Sequence, residues 1–500
     1  MFISTRCRNK GFILRNFVWA KSSIFRSVSN QSVQPKVATK PDGIFSYALI
    51  DNKSYIKIRG PDTVKFLNGL ITSKLLPNFI KKNLTTIENS EASPENDKNK
   101  ATLNVPVPEF DASLGNWGLY NETGTQGPYI SRFGLYSAFL NGKGKLITDT
   151  IVYPTPVSAS EGTPNYPEYL LELHENVVDR ILHVLQTHKL ASKIKFEKID
   201  HLSLKNWNVE IQFPNLPEDM ENPWFDNLLD PMALAKTSED ASNFAANVLQ
   251  SLFKSDPRIL GVYVERRTES ISRHNSTFPQ SFRLVTSQQV EDPSKLFNFD
   301  VFEFSFQTKK TNPAEIRQRR FQNGLVDSTQ DYKPETLLPL ELNFDFLPNT
   351  ISTNKGCYVG QELTARTYAT GILRKRLVPV KLENHSLLDT DPEKKYAEIH
   401  LDSTSTIEKD LAHLDSAAVN PFSNKTAALP KRKQRPAGSL IANEGQYGVA
   451  LLRIEHFSAA FSSDDPVEFS ITTAKGENVK VIPQRPFWFE NWQENNDLRK

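Results

Sequence analysis

The sequence predicts an α+β fold with a small β domain at its C-terminal end, and three local patterns support this prediction. Apolar and polar residues alternate in Ser54–Arg59, as they do in a half-buried strand. Apolar residues recur at helical spacing in Val178–Leu185. The tail between residues 438 and 489 divides into several short strands, of which Gln446–Ile454 is the clearest.

Length and composition are those of a multidomain globular protein. The chain has 500 residues, against roughly 100–200 for one domain. Hydrophobic residues make up 38% and charged residues 24%, and the mean hydropathy of −0.46 excludes an integral membrane protein. Residues 1–40 carry eight Lys and Arg and no acid, so the rest of the chain has a net charge of −6. That acidic body argues against nucleic-acid binding, which needs clustered positive charge.

The N-terminal segment has the pattern of a mitochondrial presequence. Within residues 1–30, Ile13, Phe17 and Ile24 share one face of a helix, and arginines such as Arg15 lie on the opposite face. This acid-free, Ser- and Arg-rich amphipathic pattern predicts import into the mitochondrial matrix. The alternative is a disordered basic tail. Nowhere else do about 18 apolar residues run together, so we expect no membrane span.

Two turn motifs order the elements of the first half. Gly60-Pro61-Asp62 follows the first strand and opens a helix, with proline expected at the first helical position. Asn141-Gly142-Lys143-Gly144 predicts a hairpin between Tyr136–Leu140 and Lys145–Tyr153, because Asn-Gly tolerates positive φ.

The middle of the chain continues with mixed elements. Tyr169–Leu173 and Lys193–Ile199 are predicted strands that flank the helical pattern already noted. Alternating phenylalanines predict a further strand at Val301–Phe306. The next helix begins after Asn312, a favourable N-cap, and ends at Gly324.

Cysteine usage restricts the chemistry. Cys7 lies in the predicted presequence, so Cys357 is the one cysteine of the mature chain. This excludes an internal disulfide and a self-contained cysteine-rich zinc or iron–sulfur site. The sequence contains no phosphate-binding glycine loop and no Gly-x-Ser-x-Gly motif.

One octapeptide, Lys355–Glu362 (KGCYVGQE), combines groups that favour thiol chemistry. Two glycines bracket Cys357, which predicts a tight turn and a helix that starts near Gly360. Free N–H groups at that helix start and the Lys355 ammonium favour a thiolate over a thiol. The alternative is a buried and inert cysteine in a turn.

The octapeptide followed by Arg366 resembles the signature of the GcvT/YgfZ family, the folate-binding family related to the glycine-cleavage T-protein. Other blocks with the family's pattern are Gly60–Thr72, Phe139–Asp149, Leu337–Leu347 and, more weakly, Gly438 with Gly448–Arg453. Together with the presequence, the resemblance points to the mitochondrial branch of the family, whose members are iron–sulfur cluster assembly factors.

The resemblance implies a ring of α+β modules around a folate-type channel, with a small β-barrel-like domain at the C-terminal end. The implied organisation is a presequence and lead (1–40), the first part of a folate-binding-like domain (41–160, with a polar insertion 81–134), a central α+β domain (168–300), a return to the folate-binding-like domain (301–375), and a C-terminal β domain (376–500, with a polar insertion 384–436).

The resemblance also assigns candidate residues. Glu341 matches a glutamate that contacts the pterin of tetrahydrofolate, and Lys355 and Arg366 are candidates for its glutamate tail. Asp149 matches an acid that acts on the folate nitrogen, although Thr148 stands where the T-protein has a second aspartate. Cys357 is the candidate thiol or the ligand of an iron–sulfur cluster shared with a partner. Structural caps and surface ion pairs are the alternatives for the charged residues.

The implied function is assembly of iron–sulfur clusters in the mitochondrial matrix. The expected partners are A-type iron–sulfur carriers and [4Fe–4S] client enzymes of the aconitase and radical-SAM types, with no nucleic acid and no membrane. This is the function of an assembly factor rather than an enzyme. The alternatives are a folate-dependent aminomethyltransferase of the T-protein class and a generic folate-binding module. Cys357 and the replacement at Thr148 favour the assembly factor.

Overall fold

The computed structural model of the chain describes residues 42–77, 118–158, 166–216, 222–302, 304–389, 396–401, 435–462 and 467–497. The predicted presequence lies outside these ranges, as do most of the two predicted insertions. Within them, helices and sheets alternate along the chain, which confirms the predicted α+β class.

The strands of the described residues form two open sheets, a closed barrel and a small ribbon. They are β1 (Asp42–Ile50), β2 (Lys53–Arg59), β3 (Leu119–Asn121), β4 (Tyr129–Ser131), β5 (Leu135–Leu140), β6 (Leu146–Pro154), β7 (Glu168–His174), β8 (Lys195–Ile199), β9 (Leu204–Gln212), β10 (Ile259–Val264), β11 (Gln280–Ser287), β12 (Ser305–Lys310), β13 (Lys375–Glu383), β14 (Glu398–Leu401), β15 (Gly438–Glu444), β16 (Tyr447–Arg453), β17 (Phe469–Thr472) and β18 (Asn478–Pro483).

The helices lie between and around these sheets. They are α1 (Thr63–Asn68), α2 (Val178–Lys189), α3 (Asp230–Met232), α4 (Ser238–Phe253), α5 (Glu269–Arg273), α6 (Pro313–Gln322), α7 (Ser328–Asp331), α8 (Gln361–Thr370), α9 (Ser386–Asp389), α10 (Ile454–Ser462) and α11 (Phe489–Asp497). Short 3-10 turns occupy Glu175–Val177, His201–Ser203, Pro293–Leu296, Phe299–Val301, Leu340–Leu342 and Phe344–Phe346, and a π-helical turn occupies Phe225–Leu229.

The hairpin sheet has the order β5-β6-β7-β2-β8 and is antiparallel throughout. The predicted Asn-Gly hairpin is confirmed, because β5 and β6 pair directly across it. Buried residues of α1 and α2, among them Leu67 and Ile181, pack in the same apolar core as strand residues such as Ile56 and Phe139. The two blocks of the first half that have the family's pattern, Gly60–Thr72 and Phe139–Asp149, therefore both contribute to the core of this sheet.

The central sheet has the order β10-β11-β9-β1-β12, with β1 and β12 parallel and the other neighbours antiparallel. Alternate residues of β9 point to opposite faces. Trp207 and Val209 enter an aromatic core together with Phe244 of α4. Asn208 and Glu210 lie on the other, polar face. This polar face is the side of the sheet that receives α6.

The C-terminal strands close into a six-stranded barrel of order β13-β16-β15-β14-β17-β18, which confirms the predicted β domain. Its interior is apolar, with Val378, Leu440 and Phe469 fully buried. Strand β14 falls within the predicted polar insertion 384–436, so part of that segment belongs to the barrel.

A buried ionic network joins the two open sheets. Asp327 accepts hydrogen bonds from Nζ of Lys53 at 3.0 Å and from Nη2 of Arg283 at 2.6 Å, and Arg320 approaches it at 3.5 Å. Glu172 accepts from Nη1 of Arg283 at 2.6 Å. The neighbouring Arg283 and Lys53 hold the pKa of Asp327 well below its usual range despite its burial. These residues come from β2, β7, β11, α6 and the turn before α7.

Two local predictions were wrong. The strand predicted at Val301–Phe306 begins instead at Ser305 and runs to Lys310, because Phe302 packs into the aromatic core and the chain before it forms a 3-10 turn. In α1, Pro61 lies before the N-cap and not at the first helical position. Asp62 makes no side-chain cap there, since its carboxylate accepts from the Lys193 backbone N–H at 2.7 Å.

Several segments join a different sheet from the one that the predicted domain boundaries assign to them. Residues 168–199, expected in the central domain, supply β7, α2 and β8 to the hairpin sheet. Strand β1, expected in the first domain, pairs in the central sheet. Residues 118–134, expected to belong to the insertion, contain the paired and buried strands β3 and β4.

We predict that Asp327→Asn lowers the free energy of unfolding by about 3–5 kcal/mol, because it leaves buried cations without their shared carboxylate. Urea unfolding of the mature chain measures this. The matched control is Asp179→Asn, which removes a carboxylate that also pairs with a lysine, at 2.6 Å, but is 82% exposed. We expect this control to cost less than about 1 kcal/mol. Equal losses in both variants would contradict the role given to Asp327.

Candidate functional site

The octapeptide turn is assembled against the end of α1. The backbone N–H of Val359 donates to the carbonyl of Gly69 at 3.1 Å, and that of Ser352 donates to the carbonyl of Thr72 at 3.1 Å. The Thr72 hydroxyl donates in turn to the carbonyl of Thr350 at 2.7 Å. Two blocks from opposite halves of the sequence are thus joined by hydrogen bonds to backbone atoms. These bonds fix the position of the turn independently of most of its side chains.

Two glycines bring the hairpin against the same turn. Gly360 has φ +80° and Gly144 has φ +75°, conformations that side chains with a Cβ rarely adopt. A Cβ at Gly360 would lie 2.5 Å from the carbonyl oxygen of Asn141, and one at Gly144 would lie 2.9 Å from the carbonyl oxygen of Gly360. The family-like hairpin and the octapeptide are therefore in backbone contact. Gly360 is also the N-cap of α8, which confirms the helix start predicted near Gly360.

The ammonium group of Lys355 is buried beneath the turn. Its Nζ donates to the carbonyls of Ile71 at 2.6 Å and Ser73 at 2.7 Å, and it lies 4.5 Å from the centre of the Tyr358 ring. Burial lowers the pKa of Lys355 to about 7, with Glu122 acting in the opposite direction. Lys355 thus ties the octapeptide to the end of α1, and it is not presented to solvent as a binding group.

Cys357 is exposed, although its neighbours are not. The side chain of Tyr358 is buried, and its backbone N–H donates to Oε1 of Gln361 at 3.1 Å. Burial raises the pKa of Tyr358 to about 12. The alternative of a buried structural cysteine is therefore wrong. The turn presents a thiol to solvent on a rigid base.

Glu341 lies half-buried in the 3-10 turn Leu340–Leu342. Its Oε2 accepts from the Leu338 backbone N–H at 2.9 Å, whereas no described residue donates to Oε1. Burial raises the pKa of Glu341, partly offset by that hydrogen bond and by Lys375. One carboxylate oxygen is therefore committed to the local turn.

Asp149 is enclosed in the hairpin sheet. Its Oδ2 accepts from the Tyr136 hydroxyl at 2.8 Å and from the Ser328 backbone N–H at 3.0 Å, and its Oδ1 accepts from the Tyr332 hydroxyl at 3.0 Å. Burial and the nearby Asp327 raise the pKa of Asp149. The hydroxyl of Thr148 donates to the Asp149 carbonyl at 3.0 Å. Both carboxylate oxygens of Asp149 therefore have donors from the protein.

Arg366 lies on the outer face of α8. Its Nη2 donates to Oε1 of Glu362 at 2.8 Å, one turn earlier on the same helix, and both side chains are exposed. This is the surface ion pair that the sequence left open as an alternative.

The structure thus brings Lys355 and Cys357 into one turn but gives Glu341, Asp149 and Arg366 separate local partners. Sequence reasoning missed Glu122. Its carboxylate pairs with Nζ of Lys74 at 3.4 Å, and its charge partly offsets the lowering of the Lys355 pKa by burial. No sequence signal marked it, because Glu122 lies in the segment predicted as a polar insertion.

The described residues were also compared with the requirements of a metal site, a membrane span and a ligand cavity. No group of three or more His, Cys, Asp and Glu side chains in this part of the chain is arranged to hold a metal ion. Across the same residues, every helix is too short or too polar to span a membrane. A cavity of about 600 Å³ lies between the two open sheets, with Lys57, Leu170 and Leu249 in its walls, and it does not reach the octapeptide.

Comparisons with known proteins cover the whole chain. Residues 374–491 match the family described as CAF17, C-terminal beta-barrel domain. The chain is 73% identical over 500 residues to the iron-sulfur cluster assembly factor IBA57, mitochondrial, of Saccharomyces cerevisiae, with 100% of both chains covered. It is 44% identical over 472 residues to the mitochondrial IBA57 homolog of Candida glabrata, which covers 92% of this chain and 93% of the relative.

Among solved structures, the glycine cleavage system aminomethyltransferase T from Bartonella henselae aligns with a TM-score of 0.45 and 10% identity. The alignment covers 89% of this chain and 86% of that chain.

We predict that Gly360→Ala lowers the free energy of unfolding by about 1–3 kcal/mol, because it combines a positive φ with a clash against the Asn141 carbonyl. Urea unfolding measures the loss, and the solvent reactivity of Cys357 reports displacement of the turn. Gly142→Ala, in the hairpin that Gly360 contacts, is the control, since a Cβ there meets no atom within 4 Å. A loss in Gly142→Ala as large as in Gly360→Ala would contradict the packing described.

We predict that burial of Lys355 makes stability depend on pH. Its pKa is lower in the folded chain than in the unfolded chain, so the unfolded chain binds more protons between pH 7 and about 10, and stability rises with pH there. The free energy of unfolding of the wild type minus that of Lys355→Met should therefore increase across this window, by at most about 1.4 kcal/mol per pH unit. Lys143→Met, at an exposed position of the neighbouring hairpin, is the matched control. Parallel curves for the wild type and Lys355→Met would refute this.

Proposed function

This chain belongs to the IBA57 family of mitochondrial iron–sulfur cluster assembly factors, and from that premise we propose that Cys357 contributes one ligand to a cluster shared with an A-type carrier. The predicted mitochondrial location agrees with the names of the relatives. The proposed clients are [4Fe–4S] enzymes of the aconitase and radical-SAM types, and the proposed compartment is the matrix.

The exposure of Cys357 carries this proposal. A thiol that bridges two proteins must be accessible to a partner, whereas the groups that hold its loop must be fixed. The octapeptide satisfies both requirements, because the half-buried Lys355, held through its ammonium group, and the buried Tyr358 lie on either side of an exposed Cys357. The hydrogen bonds to the end of α1 reduce the conformational entropy that a partner would otherwise have to remove on binding.

The number of ligands supports a shared cluster. Iron–sulfur clusters are commonly held by four thiolates, and this mature chain offers one. The remaining thiolates would come from the carrier. When bound, the cluster would supply electron-accepting iron and labile sulfide, and Cys357 would hold it through one thiolate.

Folate binding is a second and separable part of the proposal. Glu341 retains Oε1 for a donor, but Oε2 is committed to Leu338, and neither Glu341 nor Lys355 lines the cavity of about 600 Å³. The residues present thus offer one acceptor for a pterin outside that cavity, and no step is assigned to folate. Equilibrium binding of tetrahydrofolate to the wild type and to Glu341→Gln tests this part on its own.

The aminomethyltransferase alternative fits the geometry less well. An acid that acts on a folate nitrogen needs a free carboxylate oxygen directed at it, whereas Asp149 is enclosed by Tyr136, Tyr332 and Ser328. A turnover assay with aminomethyl-lipoyl carrier protein separates the two functions. Appreciable production of methylene-folate would support the aminomethyltransferase.

We predict that anaerobic reconstitution of residues 31–500 with an A-type carrier gives a coloured heterocomplex, and that Cys357→Ala abolishes it. Visible absorption and size exclusion measure the colour and the complex together. Thr353→Ala is the matched control, because Thr353 is an exposed residue that leads into the same turn and carries no thiol. Unchanged colour and stoichiometry with Cys357→Ala would exclude Cys357 as a ligand, whereas loss in both variants would assign the effect to the shape of the turn.

A further inference from the structure

Helix α8 leaves the octapeptide turn with most of its surface uncovered. It has 10 residues and begins directly after Gly360, and Thr364 is its only buried residue. Leu363 is half-buried and packs toward the hairpin, 3.0 Å from the position that a Cβ at Gly144 would take. The exposed residues of α8 are Glu362, Ala365, Arg366, Tyr368, Ala369 and Thr370. The helix is therefore attached by one side and carries a free outer side next to Cys357.

The side-chain hydrogen bonds of α8 stay within the helix and the turn before it. Arg366 donates to Glu362 at 2.8 Å, and the hydroxyl of Thr370 donates to the Arg366 carbonyl at 2.9 Å. Gln361 accepts from the backbone N–H of Tyr358 at 3.1 Å. Among the residues that the structure describes, no side chain of another element bonds to the outer side of α8. A partner could therefore cover this side without breaking a hydrogen bond to the rest of the fold.

Large apolar side chains are exposed at the far end of the same helix. Tyr368 is 48% exposed, and Ile372, just beyond the C-cap, is 69% exposed. Single exposed apolar side chains are normal on a protein surface, whereas grouped ones mark an interaction site. By helical spacing, Tyr368 shares a face with Ala365, which leads back toward the octapeptide. We call this set the outer stripe: Ala365, Tyr368, Ala369 and Ile372.

The size of a protein interface connects the outer stripe with Cys357. A carrier that shares a cluster with Cys357 must touch the surface around that thiol. Specific interfaces bury about 800 Å² on each partner, which is a patch of roughly 16 Å in radius. Helix α8 starts at Gln361 and extends over about 15 Å. The side of the turn that faces α1 is already occupied by hydrogen bonds to Gly69 and Thr72, so a partner has to approach from another side.

We propose that the outer stripe is the docking surface for the carrier that supplies the remaining thiolates, a partner with an apolar surface beside its own cysteines. This role rests on the proposed ligation of the cluster by Cys357. Aromatic side chains such as Tyr368 are enriched among the residues that dominate binding at interfaces. The charges of Glu362 and Arg366 beside the stripe are paired with each other, so an uncharged partner surface leaves neither of them unpaired.

The test is titration of the mature chain with an A-type carrier during anaerobic reconstitution. Fluorescence anisotropy of a labelled carrier measures the affinity, and visible absorption measures the cluster. We expect Tyr368→Ser and Ile372→Ser each to raise the Kd by about tenfold or more, with full cluster absorption at saturating carrier. Ala365→Glu should also raise it, because docking would bury an unpaired carboxylate. Glutamate is a good helix former, so this variant keeps α8 folded.

Leu202→Ser is the matched control. Leu202 is 62% exposed and lies in the 3-10 turn after β8, at the opposite edge of the hairpin sheet from β5. We expect it to bind the carrier as the wild type does. The rate of alkylation of Cys357 should stay at the wild-type value in the α8 variants. A changed rate would assign the loss of affinity to the shape of the turn and count against docking on α8.

The docking surface and the ligand role can fail separately. Wild-type affinity in the three α8 variants, with loss of the cluster in Cys357→Ala, would overturn the docking surface and leave the ligand role. Equal weakening in Leu202→Ser would also overturn the docking surface. Weaker binding in the α8 variants alone, with an unchanged cluster in Cys357→Ala, would support docking and exclude the ligand role. No complex between the wild type and the carrier would overturn both.

Discussion

The carboxylate of Asp327 is the point at which the modules of this protein meet. Lys53 of the hairpin sheet, Arg283 of the central sheet and Arg320 of α6 all reach it within the buried interior. Charges removed from water must be paired, so each of these elements is held at the position where its cation finds Asp327. An apolar contact would tolerate sliding between the sheets, whereas this network specifies one arrangement.

The octapeptide is supported by the hairpin sheet, through two segments that are distant from it in the sequence. The end of α1 and the hairpin both belong to the hairpin sheet, and each contacts the turn through backbone atoms. The side chains of Lys355 and Tyr358 fill the space beneath it. What remains accessible is Cys357, and this division between a fixed base and an exposed thiol is the physical basis of the proposed role in cluster assembly.

Much of the local structure was predictable because it depends on neighbours in the sequence. Asn-Gly marked the hairpin, and Asn312 accepts from the Ala314 backbone N–H at the start of α6 as an N-cap should. Gly360 opened α8 as expected. The prediction of a strand at Val301–Phe306 was wrong, because alternating phenylalanines occur both in strands and in 3-10 turns that pack on an aromatic core. The prediction of a polar insertion was also wrong for residues 118–134. Their composition is polar, but they contain two short buried strands.

The sequence by itself determined the α+β class, the short strands of the C-terminal domain, the hairpin and the octapeptide as the place where chemistry would be found, whereas the barrel was implied by the family resemblance. Those features follow from periodicity, turn residues and the rarity of cysteine, which are local properties. Only the tertiary structure decided that Cys357 is exposed, that Lys355 is buried beneath it, and that Asp149 is enclosed by partners. It also decided that the arginines of α6, which suit a helix C-terminus, pair with acids of other elements. Burial and ion pairing depend on which distant segments approach each other. The spacing of residues within one segment does not predict those contacts.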